Sequence, residues 1–413
     1  MDARNWSLAG SLAAILLAPG GSQADVFNLG GTRNPDGSWT GLASLETVPV
    51  GNPGNAPDTN VMIGDGTSGY GSVPYMYNIG KFDVTAGQYC EFLNKVAATD
   101  AYGLYNTNMD TAADIHGCNI KRSGSSGGYT YRVDSNWANR PVNYVSWGDA
   151  VRFANWLHNG QPTGVQDLST TEDGSYYLNG ATSYQAVTRK ANATWVLPTE
   201  DEWYKAAYHN PATGTYYWFP TSSYTIPSNI LTDPNPDPGN SANYYDYFRI
   251  WNGTLTIGAP YFRTEVGDFE NSVSPYGTFD QGGDVYQWNE SNVSTFLGWG
   301  RGLRGGWFEA SDENMLASYR NFQGPTAEMY IAGFRVAEVP EPVSLGILAL
   351  GGLAALRRRR ARSRRQTMRR LPLSGSVHRL TTASPRAASP WPGRNAGSSA
   401  SSHPAGLCGP RSG

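Results

Sequence analysis

Three stretches of the chain carry apolar residues at helical spacing, and each opens on a residue suited to capping. Tyr89, Phe92, Leu93, Val96 and Ala97 fall on one face, and Thr85 with Gln88 has capping-box spacing ahead of them. Trp147, Ala150, Val151, Ala154 and Leu157 make a second stripe, opened by Ser146 and closed by Gly160. Thr199 and Glu202 repeat the capping-box spacing at the head of a third, shorter helix, with Pro198 just outside it. Tyr75 to Lys81 reads as a strand. Val61-Met62-Ile63 reads as part of a strand or two set among the loops of residues 25–74. The rest is rich in Gly, Asn, Tyr and Trp, which predicts long loops tied down by buried rings. Gly124-Ser125-Ser126-Gly127-Gly128 has the spacing of a hydrolase nucleophile elbow but reads as a turn before Tyr129-Thr130-Tyr131.

The ends carry other patterns. Arg4, the apolar run Leu8 to Ala18 and then Ser22-Gln23-Ala24 give a secretory signal over 1–24. Near the other end, Pro340-Glu341-Pro342 leads into the apolar run Val343 to Leu356 and then Arg357 to Arg360. The run is short of the roughly 20 residues of a stable span. This arrangement resembles the PEP-CTERM sorting signal, which implies transient inner-membrane insertion and an exosortase-type processing enzyme that cleaves at the Pro-Glu-Pro segment and removes the chain beyond it. The expected organisation is a signal over 1–24, an extension over 25–59, one globular domain over 60–338 and the sorting signal over 339–365. The tail over 366–413 reads as disordered and has the composition of a reading-frame artefact.

Charge separates along the same lines. Thirteen of the 31 basic residues are arginines beyond position 356, so the preceding chain sets 18 basic against 34 acidic residues, a net of −16. Such a body repels nucleic acid, which is excluded as a partner. The cysteines, Cys90, Cys118 and Cys408, have no zinc-type spacing.

Five segments identify the domain: Arg140-Pro141-Val142-Asn143-Tyr144-Val145-Ser146-Trp147, Leu197-Pro198-Thr199-Glu200-Asp201-Glu202-Trp203, Gly282-Gly283-Asp284-Val285-Tyr286-Gln287-Trp288, Arg304-Gly305-Gly306-Trp307 and Gly333-Phe334-Arg335-Val336. Together and in this order they resemble the formylglycine-generating enzyme family, also called sulfatase-modifying factors. The resemblance implies an α+β, C-type-lectin-like fold with few short helices and strands. It also implies a catalytic pair of cysteines after the Arg-Gly-Gly segment, holding copper. Here Trp307 to Arg320 contains no cysteine. With a one-residue gap after Gly306, Glu309 and Asn314 fall approximately at those two positions. Their oxygens suit hard cations and not Cu(I), so copper and formylglycine synthesis are not expected.

The resemblance further implies calcium held by the Gly283, Asp284, Val285 and Gln287 segment, with Asn243 and the Tyr244 carbonyl as part of a second site. Gln287 replaces the family glutamate and Asp284 the family asparagine. Arg304 and Arg335 are expected to be structural, with Glu290 or Asp312 as partners. His116, His158 and His209 are scattered and suggest no site. The function reads in two ways. One is an exported, envelope-sorted, non-catalytic binding or structural protein whose Tyr and Trp suit an exopolysaccharide ligand. The other is a diverged enzyme acting on a thiol or small molecule.

Overall fold

The three expected helices form, and their first turns explain why. Thr85 Oγ1 accepts from Gln88 N at 3.2 Å while Gln88 Oε1 accepts from Thr85 N, closing both ends of a capping box on helix Ala86–Val96. Ser146 with Asp149 does the same for Trp147–His158, and Thr199 with Glu202 for Glu200–Tyr208. Gly160 has φ 75° and donates its N–H to Leu157 O, stopping the second helix where the sequence placed its end.

The computed structural model describes residues 45–231, 237–295 and 298–340, with the backbone alone of 26–27, 32–33 and 39–40. These residues lie in one compact unit, Met1–Gly351. Its five-stranded sheet runs in the order Val26–Phe27, Leu45–Val50, Tyr77–Gly80, Ala337–Glu338, Trp195–Val196, antiparallel throughout. A second sheet runs in the order Asn321–Gln323, Gly298–Arg304, Tyr286–Thr295, Ala332–Gly333, with only the last pair parallel. The turn at residues 124–128 joins the hairpin strands Ile120–Ser123 and Thr130–Val133, in keeping with the sequence reading.

The sheet reaches back to Leu45–Val50, within the stretch read as a strand or two among loops. One expectation needs correction. Val61-Met62-Ile63 is not a strand: Met62 N bonds Thr67 O across a turn, and Met62 is buried with Trp203, Tyr204 and Tyr208.

Aromatic rings fill the core. Tyr89, Phe92, Phe153, Trp156 and Phe334 form a chain of ring contacts at 5.2–5.6 Å that joins the first two helices to the segment after Gly333. Each such pair is worth about 0.5–1.5 kcal/mol beyond burial. Among the described residues four tryptophans are fully buried, and each of their indole N–H groups has a partner. Trp147 donates to Asn289 O and Trp288 to Val145 O, both at 3.0 Å, which staples the head of the second helix to the Tyr286–Thr295 strand. Trp156 reaches Pro162 O and Trp203 reaches Gln287 Oε1. Among the described residues no helix is long and apolar enough to cross a membrane. Pro340 is the last described residue, so Glu341 and Pro342 of the sorting segment lie outside them.

Candidate functional site

Four of the five sequence segments supply two hydrogen-bonded clusters, one around Gln287 and Arg335 and one around Arg304 and Glu200. Gln287 starts from the strand beside Gly333, and its Oε1 accepts from Trp203 Nε1 and from Arg335 Nε, both at 2.6 Å. Its Nε2 donates to Asp280 O at 2.8 Å. Arg335, fully buried, also donates to the Gly80 and Phe279 carbonyls and pairs with Asp83 at 3.2 Å. Arg304 pairs with Glu200 at 2.6 Å and donates to Ala317 O and Tyr319 O. Arg320 holds the other Glu200 oxygen. Both arginines are therefore structural, as expected, but their carboxylates are Glu200 and Asp83. Of the partners expected from sequence, Glu290 pairs with Arg189 at 3.0 Å, and Asp312 opens a short 3-10 turn.

The expected calcium residues do come together in part. Asn243 and Gly283 form a parallel bridge, and Asp284 N donates to Asn243 O at 3.0 Å. Gly283 has φ 84°, and a Cβ there would sit 2.0 Å from Asn243 O, so only glycine permits the approach. Asp284 is buried. Its Oδ1 accepts from Asn243 Nδ2 at 2.7 Å and Thr264 N at 2.8 Å, and its Oδ2 from Thr264 Oγ1 at 2.8 Å. The Tyr244 carbonyl accepts from Thr256 Oγ1, Val285 is buried in the core, and Gln287 Oε1 faces a guanidinium.

A calcium ligand must present oxygen lone pairs to the ion. Here N–H and O–H donors already occupy the side-chain oxygens of Asp284 and Gln287, and the cation facing Gln287 is Arg335. Among the described residues no group of three or more His, Cys, Asp or Glu is placed to hold a metal ion. Asn243 Oδ1 is buried without a hydrogen-bond partner, so donors occupy the side-chain oxygens of this segment only in part.

Burial dominates the charge of this region. It pushes the Asp284 carboxyl up to about 6, against the hydrogen bonds from Asn243 and Thr264. It pushes Asp83 up to about 8, with Arg335 opposing. Asp280 rises for the same reason, with Asp284 and Asp83 adding to the rise.

Glu309 and Asn314 stand beyond Gly306, both half-buried. Cys90 and Cys118 are buried and free; Cys90 lies in the first helix and Cys118 just before the Ile120–Ser123 strand. Burial pushes the Cys90 thiol up to about 12, with Cys118 adding to it, and raises Cys118 as well. Copper needs thiolate at an accessible position. Neither the residues after Gly306 nor these two thiols fit it.

His116, for which the sequence suggested no site, has a carboxylate on either side. Its Nδ1 lies 3.1 Å from Asp114 Oδ1 and its Nε2 lies 3.8 Å from Glu309 Oε1. Asp114 lies two residues away in sequence, whereas Glu309 comes from a distant segment.

The fold and these clusters define a loop-rich α+β domain of the formylglycine-generating-enzyme type. The chain belongs to that family: residues 68–339 match the sulfatase-modifying factor enzyme 1-like domain. Solved structures of the same fold include the crystal structure of CarF, at 17% identity and a TM-score of 0.43, covering 72% of this chain and 99% of that one. Treponema denticola variable protein 1 is similar at 17% identity and 0.40, covering 77% and 99%. PvdO from Pseudomonas aeruginosa is similar at 15% and 0.40, covering 76% and 98%. No curated protein matches the chain at a significant level.

Proposed function

We propose that this protein is a binding or structural module on a formylglycine-generating-enzyme-type scaffold that does not make formylglycine. The reading is carried by the segment after Arg304-Gly305-Gly306. It offers Glu309 and Asn314 where the reaction needs two thiolates, while the only described cysteines are buried elsewhere with thiols held protonated. The family motifs are instead consumed in holding the domain together, through Gln287, Arg335, Arg304 and Glu200. The signal over 1–24 and the Pro340-Glu341-Pro342 segment support export and sorting to the cell envelope by an exosortase-type enzyme. An acidic body with abundant Tyr and Trp supports an uncharged envelope ligand such as an exopolysaccharide.

The deciding experiment incubates the protein with copper, oxygen and a peptide carrying a Cys-x-Pro-x-Arg motif. Mass spectrometry is expected to return the peptide unchanged. A mass decrease on the cysteine matching thiol-to-aldehyde conversion overturns the reading.

A further inference from the structure

Loop 245–255 carries apolar side chains into solvent from a fixed base. Tyr245 bridges to Leu255, and its N–H donates to Ala310 O at 2.9 Å. Asp246, buried beneath the loop, accepts from Ile250 N at 2.8 Å, Trp251 N at 2.6 Å and Gly253 N at 2.8 Å. Burial raises its carboxyl, but these three N–H groups outweigh that and hold it below the ordinary value. A charged carboxylate at the centre thus fixes the loop before any ligand arrives, which removes an ordering cost from binding. Outward, Tyr247 is 70% exposed, Phe248 55%, Ile250 45% and Trp251 46%. A cluster of this kind on a solvated surface marks a contact site.

The Tyr245–Ala310 bond sets the base of this loop beside Glu309. Glu309 and His116 are both part-exposed and face each other at 3.8 Å, too far apart to bond. The Nδ1 of His116 lies 3.1 Å from Asp114 Oδ1, and its Nε2 is the ring nitrogen on the side of Glu309. Phe262 and Tyr330 fix the imidazole from 4.6 and 4.8 Å. The Glu309 carboxylate adds to the burial that raises the Tyr330 hydroxyl. A carboxylate and an imidazole nitrogen side by side match hydroxyl groups on one ligand, because a hydroxyl both donates and accepts.

We propose that this face binds a neutral, hydroxyl-rich polysaccharide. Tyr247, Phe248 and Trp251 supply the exposed rings against which sugar rings pack, and Glu309 with His116 Nε2 hydrogen-bonds the hydroxyls. The inference rests on the binding-module reading and names its ligand class. The acidic body disfavours a polyanionic chain. A bilayer would cover the rings equally well but bring Asp114 and Glu309 against lipid, which is costly.

The test is affinity electrophoresis of the whole protein in gels cast with dextran, xylan or galactomannan, alongside alginate as a polyanion. Retardation is expected in at least one neutral gel and not in alginate. The double variant Tyr247→Ala/Trp251→Ala is expected to lose about tenfold or more in affinity, and Glu309→Gln about tenfold, as for hydrogen bonds made to a charged group. Tyr177→Ala, an exposed ring outside this loop, leaves retardation unchanged. Near-ultraviolet circular dichroism checks that each variant is folded. Absence of retardation in every neutral gel overturns the proposal. So does retardation that the double variant keeps, which leaves the binding-module reading standing but moves the site. Cosedimentation with phosphatidylcholine–phosphatidylglycerol vesicles that depends on Trp251, without sugar binding, reassigns the loop to a membrane.

Discussion

Arg335 donates through Nε to Gln287 Oε1 at 2.6 Å, deep inside the domain and out of reach of solvent. The amide suits this position because it accepts on one side and donates to Asp280 O on the other. Gln287→Glu replaces that donor with a second acceptor and adds a charge near Asp83, Asp280 and Asp284, which are already pushed toward neutrality. The expected cost is about 1–3 kcal/mol, from one lost bond and one unsatisfied carbonyl. Urea denaturation reads it, and an unchanged midpoint contradicts this account of the network.

Calcium is expected to leave the melting curve where it is. An ion present at ten times its dissociation constant adds about 1.4 kcal/mol to stability. The donors on Asp284 would have to be displaced first. Scanning calorimetry with millimolar calcium and with chelator should give superimposable curves. A rise of a few degrees that Asp284→Ala removes restores the ion to this loop.

Glycine is required at Gly283 and merely convenient at Gly277, although both have φ 84°. A Cβ at Gly283 meets Asn243 O at 2.0 Å, whereas at Gly277 the nearest atom is Val48 Cγ1 at 4.0 Å. Gly277→Ala bears the cost of its backbone conformation alone, about 1–2 kcal/mol. Gly283→Ala adds a backbone clash and is expected to exceed about 4 kcal/mol or to prevent folding. Comparable melting temperatures for the two variants would show that the Asn243–Gly283 bridge is dispensable.

The local parts of this architecture were legible in the sequence and the long-range parts were not. Thr85 with Gln88, and Thr199 with Glu202, announce helices because both halves of each cap lie within one turn. The strand expected among residues 25–74 was not placed at Leu45–Val50, where Pro49 interrupts the run and a proline demotes a central strand. Pro49 is tolerated because the outer neighbour, Val26–Phe27, pairs only with Leu45 and Glu46. Met62 sits in an alternating apolar run, yet it turns inward to meet Arg304 Nη2 through its sulfur at 3.3 Å. The Glu200 partner of Arg304 and the Glu309 neighbour of His116 come from distant segments. Spacing rules carry no information at that separation.

Acid is expected to destabilise the domain through His209. Burial, aided by Lys205, pushes its imidazole down to about 4, while its Nδ1 lies 2.8 Å from Tyr276 Oη. The folded state thus keeps His209 neutral, whereas the unfolded chain takes up a proton near its ordinary value of about 6.5. More protons on the unfolded side means that stability rises with pH. This contribution is complete above about 6.5 and is lost as pH falls toward 4. Asp284 runs the opposite way, since its raised carboxyl favours the fold at low pH and loses that advantage as pH rises through about 6. Substituting the histidine separates the two effects. His209→Asn keeps a polar partner for Tyr276 but does not titrate, so its melting temperature should fall less than that of the parent protein between pH 7 and pH 4.5. Parallel curves for the two proteins would show that His209 is protonated in the fold.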